Sequence, residues 1–176
     1  MENTGVIKLR KFSIKDLDRI MEIFPDKSVT DPIGLTIAKN PPKVTRQFEE
    51  GWLKKTISNY SIRKPEEYSL AITLDDALVG SAGLKKIDYQ NESLEIGYWL
   101  GRDYWGKGYA TSALNLLLAF ADKRFHPKRI TGLAFTFNPA SKRVMEKCGF
   151  ELECIRRNIK KGKDKFYDEY AMVRFR

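Results

Sequence analysis

The chain has 176 residues, enough for one domain built around one sizeable core. Apolar residues make up 42% and charged residues 31%, a globular balance, and no apolar run approaches the roughly 20 residues that would span a bilayer. The formal charge of +9 favours a polyanionic partner, whether nucleic acid, an anionic surface or a phosphorylated cofactor, without choosing among them. The opening Met1-Glu2-Asn3-Thr4 has neither the basic nor the apolar region of a secretion signal. Cys148 and Cys154 therefore read as two free thiols of a cytoplasmic protein, with a bridge between them as the alternative. The single histidine, His126, argues against a histidine-based metal site and leaves a Ser-His-Asp triad only that one residue, so no metal is expected.

In chain order, Val6 to Phe12 alternates and reads as a first strand. Ser13 with Asp16 resembles a capping box that opens a helix through Phe24. Pro25, Pro32, Pro41 and Pro42 make the next stretch irregular. A second helix covers Val44 to Ile57, with Phe48, Trp52 and Lys55 as its amphipathic stripe. Tyr68 to Leu74 and Ala77 to Ile87 pair as a hairpin across the turn Asp75-Asp76. Leu94 to Leu100 is a further strand, in which Gly97 suggests a bulge or a close backbone approach.

Gly108 to Lys123 is the clearest helix. Ala110, Ala113, Leu114, Leu117, Leu118 and Ala121 fall on one face, widened by Leu116 and Phe120, as expected for a helix buried on a sheet. Ile130 to Phe137 is the next strand. Asn138 as N-cap and Pro139 at the first position start a short helix that ends at Gly149. Phe150 to Ile159 and Phe166 to Phe175 are two final strands around Gly162. No repeat or linker interrupts residues 1–176, which read as a single mixed α/β domain.

The segment Glu95-Ile96-Gly97-Tyr98-Trp99-Leu100-Gly101-Arg102-Asp103-Tyr104-Trp105-Gly106-Lys107-Gly108-Tyr109-Ala110 runs strand, loop, helix. Gly106 and Gly108 let the backbone approach a ligand. The unpaired amides of the helix start and its dipole suit a phosphate, with Lys107 adding charge. A glycine-rich turn that merely caps a core helix is the competing reading. Gly101 to Lys107 nearly fits a Walker loop, but Gly108 follows where the Mg²⁺-binding Ser or Thr belongs. The dinucleotide glycine pattern is absent as well.

The run Trp-Gly-Lys-Gly-Tyr-Ala (105–110) after the strand Glu-Ile-Gly-Tyr-Trp-Leu (95–100) resembles the GNAT superfamily of N-acetyltransferases. Its nearest branch is the RimJ/RimL type, which acetylates N-terminal amines of ribosomal proteins. Asn138-Pro139-Ala140-Ser141 followed by Glu146-Lys147-Cys148-Gly149-Phe150 resembles that branch's second signature, and the likeness in element order covers nearly the whole chain. The resemblance implies a mostly antiparallel sheet of about seven strands flanked by about four helices, with a V-shaped cleft between strands 4 and 5 that holds acetyl-CoA. The pyrophosphate would lie on the amides of Trp105, Gly106, Lys107, Gly108, Tyr109 and Ala110. Backbone groups of Tyr98, Trp99 and Leu100 would pair with pantetheine. Asn138 and Ser141 would touch the cofactor from the other side, and Lys147 would reach its adenosine phosphates.

Two departures from the wider superfamily stand out. Trp105 replaces a Gln or Arg, although an aromatic is common in the Rim branch. Met145 replaces a Tyr that serves many members as general acid, which leaves Ser141 as the nearest hydroxyl to protonate the leaving thiolate. Glu95, on the strand that opens the cleft, is the candidate base, directly or through water; a strand-edge carboxylate in a salt bridge is the equal alternative. Glu67 and Asp168 are weaker candidates. His126 reads as a loop residue and Cys148 as core packing. The basic Arg156 to Lys165 hairpin reads as solvated, with an acidic or RNA-rich partner as the alternative.

The resemblance thus implies an acetyl-CoA-dependent acyltransferase acting on a protein N-terminus, with a ribosome or ribosomal protein as partner. A small amine such as a polyamine, amino sugar or antibiotic is the second acceptor. A weak CoA- or nucleic-acid-binding module is a third, non-enzymatic reading. No membrane partner is expected, and a homodimer is compatible with it.

Overall fold

The computed structural model of the chain describes residues 5–37 and 40–176. The strands are β1 (Ile7–Arg10), β2 (Tyr68–Leu74), β3 (Ala77–Asp88), β4 (Ser93–Leu100), β5 (Arg129–Phe135), the mostly charged and exposed edge strand β6 (Glu151–Lys161) and β7 (Phe166–Phe175). Among the described residues these seven strands form one sheet in the order β1-β2-β3-β4-β5-β7-β6. Every pairing is antiparallel except β4 with β5. The β2–β3 hairpin turns on Asp75 (φ 48°) and Asp76 (φ 69°), both in the left-handed region that a two-residue hairpin requires.

The helices are α1 (Leu17–Ile23), α2 (Lys27–Thr30), α3 (Arg46–Asn59), α4 (Tyr109–Arg124) and α5 (Pro139–Lys147). They cover both sides of the sheet. On one side Leu17, Ile20, Leu53, Ala71 and Leu78 join α1 and α3 to β2 and β3. On the other, Ala113, Leu114, Leu117, Leu118 and Ala121 of α4 pack with Leu94, Ile96 and Leu100 of β4. β4 therefore alternates: Leu94, Ile96, Tyr98 and Leu100 belong to the α4 side, while Trp99 packs on the α1 and α3 side.

A parallel neighbour needs a long crossover, and α4 supplies it between β4 and β5. The two strands pair from Ser93 with Arg129 to Ile96 with Gly132, and no further. Beyond that point β4 continues against β3, down to Leu100 with Gly80, and β5 continues against β7, down to Phe135 with Glu169. The sheet opens into a V between strands 4 and 5, as the resemblance implies.

Four details differ from the sequence reading. The proline-rich stretch contains the short helix α2, started by the Asp26 side chain accepting from the Ser28 N–H. Gly97 sits in unbroken register with Gly83, so there is no bulge there; the irregularity lies in β3 between Lys85 and Asp88. Leu116 is exposed on the outer face of α4. On α3 the buried residues are Glu49, Leu53, Thr56 and Asn59; of the expected stripe Trp52 packs on Phe12, whereas Phe48, at the cleft, and Lys55 are exposed.

Asp16 joins β1 to the start of α1. Its carboxylate takes both Arg10 guanidinium nitrogens at 2.8 and 2.7 Å and the Ser13 N–H at 2.8 Å. Burial alone would raise the Asp16 carboxyl, but these bonds outweigh it and hold it below the usual carboxylate range. Asp16→Ala should cost about 2 kcal/mol in urea unfolding at neutral pH, the scale of hydrogen bonds to a charged group. A lowered carboxyl stabilises above its unfolded pKa and loses that contribution as pH falls through the folded value. The gap between wild type and variant should therefore close below about pH 4.

Candidate active site

The parting of β4 from β5 leaves a cleft of about 910 Å³. Tyr98, Trp99 and Leu100 form one wall, and Leu133, Ala134 and Phe135 the other. The start of α4 and one face of α5 border it on one side of the sheet; α3 and the segment after α2 border it on the other. Of the sequence-predicted site residues, Glu95, Tyr98, Trp99, Leu100, Trp105, Gly106, Gly108, Tyr109, Ala110, Asn138, Ser141 and Lys147 all line this one cleft. Lys107 does not. It borders a shallow hollow with Tyr109, Ser112 and Leu116.

Gly106 and Gly108 have φ of +75° and +79°, and a Cβ at either would meet nothing within 4 Å. Backbone conformation, and not crowding within the chain, is what calls for glycine there. The Ser112 N–H is the first to close a helical bond, to the Gly108 carbonyl at 3.1 Å. The amides of Tyr109, Ala110 and Thr111 thus have no partner within α4, and no side chain caps them. The preceding loop is braced: the Trp105 indole donates to the Leu100 carbonyl at 2.9 Å, Arg102 stacks on Trp105 at 4.7 Å, and Arg19 donates to the Tyr104 hydroxyl at 3.0 Å. Arg143 and Lys147 of α5 add cations to this side. The arrangement can hold a polyphosphate.

α5 starts as its sequence dictates, with Pro139 in its first turn and the Asn138 side chain accepting from the Ser141 N–H at 3.2 Å. That places the Ser141 hydroxyl 2.9 Å from the Tyr98 hydroxyl, reaching across from β4. Burial pushes the Tyr98 phenol up to about 12, partly offset by this hydrogen bond. Tyr98 therefore stays protonated at neutral pH and can orient, or relay through, the serine. The resemblance implies a backbone role for Tyr98; the hydroxyl contact with Ser141 is visible only in the assembled fold. Met145 is fully buried against Gly132, away from this pair.

Three carboxylates also line the cleft. Glu95 is held by Lys86 at 2.9 Å, the salt-bridge alternative of the sequence reading. Glu169 lies 2.8 Å from Arg156, and burial pushes its carboxyl up despite that neighbour. Glu49 makes no ion pair among the described residues, and burial pushes it to about 7. Glu67 and Asp168 lie outside the cleft: Glu67 pairs with Lys55 at 2.6 Å, and Asp168 accepts the Asn158 N–H at 2.8 Å. The sequence signal for Glu49 was its spacing with Leu53 and Thr56, at i, i+4 and i+7. His126 is an exposed turn residue with φ of 51°, and both cysteines are free thiols, Cys148 buried and Cys154 exposed.

Comparison with known proteins agrees with this geometry. Residues 7–151 match the family model described as acetyltransferase (GNAT) domain. The chain is 26% identical over 168 residues to uncharacterized N-acetyltransferase p20 of Bacillus licheniformis, covering 95% of this chain and 91% of that protein. It is 31% identical over 116 residues to the ribosomal-protein-serine acetyltransferase of Escherichia coli, covering 65% of this chain and 64% of the relative. Its fold is similar to the crystal structure of spermidine N-acetyltransferase from Vibrio cholerae in complex with CoA and spermine. There the TM-score is 0.82 at 19% identity, with 96% of this chain and 95% of the other aligned. The strand-loop-helix phosphate cradle, the sheet split beside it and the matched family model place this chain in the GNAT family of acetyltransferases, and it is an acyltransferase.

Proposed function

We propose that this acetyltransferase uses acetyl-CoA to acetylate the N-terminal α-amine of a protein or peptide, with a ribosomal protein as the partner class. The observation that carries the reading is one cleft with two chemistries. Free α4 amides behind two left-handed glycines, with Arg143 and Lys147, suit the phosphates of CoA; Glu49, Glu95 and Glu169 suit an ammonium group. The edges of β4 and β5 beyond Ile96 and Gly132 offer backbone partners to the amides of pantetheine. Ser141, fixed by Asn138 and Tyr98, is the proposed donor of the proton that the leaving thiolate needs.

The acceptor class follows from proton affinity. An α-amine has a pKa near ~8 and a lysine amine near ~10.4, so a lysine costs roughly 3.4 kcal/mol more to deprotonate. The site supplies carboxylates and no histidine. Such a site suits the easier α-amine. The similarity to a ribosomal-protein-serine acetyltransferase points the same way. A small polycation is the second reading, favoured by the three carboxylates and by the fold shared with a spermidine acetyltransferase.

Three outcomes follow. Acetyl-CoA should raise the melting temperature of the wild type, and Gly108→Glu should abolish the shift by putting a carboxylate and a strained backbone where pyrophosphate binds; no shift in wild type at millimolar acetyl-CoA refutes the cofactor. Ser141→Ala should lower kcat by about 10²–10⁴-fold with little change in acetyl-CoA affinity, and a loss below about threefold would make Ser141 structural. In mass spectrometry of peptides carrying both amines, acetylation should appear at the free N-terminus. Predominant lysine acetylation, or activity confined to small amines, would overturn the acceptor while leaving the cofactor reading intact.

A further inference from the structure

The side of the cleft facing α3 is a trench with a deliberate shape. Ser69 of β2, Gly83 of β3 and Gly97 of β4 lie side by side in one row of the sheet, because Ser69 pairs with Gly83 and Gly83 with Gly97. All three line the cleft. A sheet face beneath a helix normally carries large apolar side chains, and here three small residues clear the space instead. A Cβ on Gly83 would already press on the Ser69 hydroxyl at 2.8 Å, and one on Gly97 would meet the Lys85 ammonium at 3.3 Å. The trench thus runs from the split at β4, across three strands, to a place under α3.

Glu49 borders this space from α3. It is 4% exposed, and its Oε1 is buried with no hydrogen-bond partner among the described residues. Most neighbouring charges are paired elsewhere; Lys85, whose ammonium lies over Gly97, makes no ion pair among the described residues. On α3 itself Glu50 pairs with Lys54, and Lys55 with Glu67. Toward α1, Arg46 pairs with Asp18, and at the start of α1 Arg10 pairs with Asp16. On the sheet, Lys85 and Glu95 sit one row beyond Gly83 and Gly97, with Glu95 held by Lys86. On β7, Glu169 also has a buried Oε1 without a hydrogen bond, but it differs from Glu49 in lying 2.8 Å from the Arg156 guanidinium. Burying a carboxyl with no partner is costly, and Leu would avoid the cost; such groups are candidates for use.

We propose that Glu49 is the carboxylate that receives the acceptor's ammonium group and takes its proton, in place of the strand residue Glu95. The assignment rests on the amine-acceptor reading of the cleft. One N–H proton passes from the ammonium to a Glu49 oxygen. The freed nitrogen lone pair attacks the thioester carbonyl carbon, and the C–S bond breaks. The nitrogen gives up a second proton as the amide forms, and the CoA thiolate takes one up. The products are one amide and one thiol, with the proton on Glu49 released to solvent. Burial holds the Glu49 carboxyl near 7, so at neutral pH it is ionised in about half the molecules and can both accept and return a proton.

The direct test titrates the protein with n-butylammonium, which stays cationic throughout, and follows binding by NMR. A carboxyl near 7 goes from about one-tenth to about nine-tenths ionised between pH 6 and pH 8, so wild-type affinity should rise about tenfold. The isosteric Glu49→Gln should bind weakly and without this pH step, whereas Glu169→Gln should keep it. A flat wild-type response, or a step that survives in Glu49→Gln, overturns the assignment. In turnover, Glu49→Gln should lose about 10²–10⁴-fold in kcat/KM, together with the acidic limb near pH 7, while acetyl-CoA affinity holds. A variant within about threefold of wild type refutes the proton-taking role. The two readings fail separately: wild type that releases no CoA with any peptide or small amine refutes the amine acceptor, whereas equal turnover by wild type and Glu49→Gln refutes only Glu49. Unfolding adds a check. A raised carboxyl stabilises below its unfolded pKa and loses this as pH rises toward the folded value, so Glu49→Gln should melt above wild type at pH 8 and level with it near pH 4.

Discussion

The constraint on which the molecule depends is the end of pairing between β4 and β5 at Ile96 and Gly132. Each strand is held beyond that point by its other neighbour, β4 by β3 and β5 by β7, so neither can swing back. The facing edges keep backbone donors and acceptors that a continuous sheet would have paired, and buried backbone groups rarely go without partners. A ligand that carries amides of its own would complete the sheet. Helix α4 follows from the same constraint, since parallel strands require the crossover that it provides. Its N-terminus opens beside the gap, where the dipole and free amides attract anions.

The charge of the chain is misleading taken as a sum. A net +9 suggests a polyanion, and part of that charge does face the gap as Arg143 and Lys147. The same cleft also gathers three carboxylates, two of them pushed toward neutrality by burial. Desolvating Glu49 without a partner lowers stability, and proteins accept such losses where a group is needed in an activated state. Glu95, by contrast, is the carboxylate that the motif makes visible, and it is also the one already satisfied by Lys86.

What the sequence made legible was whatever rests on local periodicity or on glycine chemistry. The α4 apolar face, the Asp75-Asp76 turn, the Asn138-Pro139 helix start and the Gly106/Gly108 cradle all stand where the sequence put them. α3 was harder. Its buried residues are Glu49, Thr56 and Asn59 beside a single Leu53, so apolar spacing finds Trp52, which does pack on Phe12, but not the buried polar positions around it. Glu49 has no apolar signal to reveal it. Lys107, between the two left-handed glycines, borders a neighbouring hollow that shares Tyr109 with the cleft, which local sequence cannot show. The Tyr98–Ser141 contact joins residues 43 positions apart and is visible only once the strands are assembled.

Met145 shows how packing and chemistry divide a helix. Ser141 and Met145 are one turn apart on the same face of α5. Gly132 is the last β5 residue to pair with β4, and Met145 fills the space that a side chain there would occupy, beside Ile96. The methionine thus plugs the point where the V opens, and fixes how closely α5 sits on it. A flexible thioether suits an irregular gap between two diverging strands. A phenol at 145 would have to force that plug open, with the cost of overpacking a closed core. One turn earlier on α5, the Ser141 hydroxyl meets the Tyr98 hydroxyl, which projects from β4 across the cleft. Adjacent turns of α5 thus differ in surroundings: Met145 is sealed against Gly132 and Ile96, whereas Ser141, 2.9 Å from the Tyr98 hydroxyl, lines the open cleft.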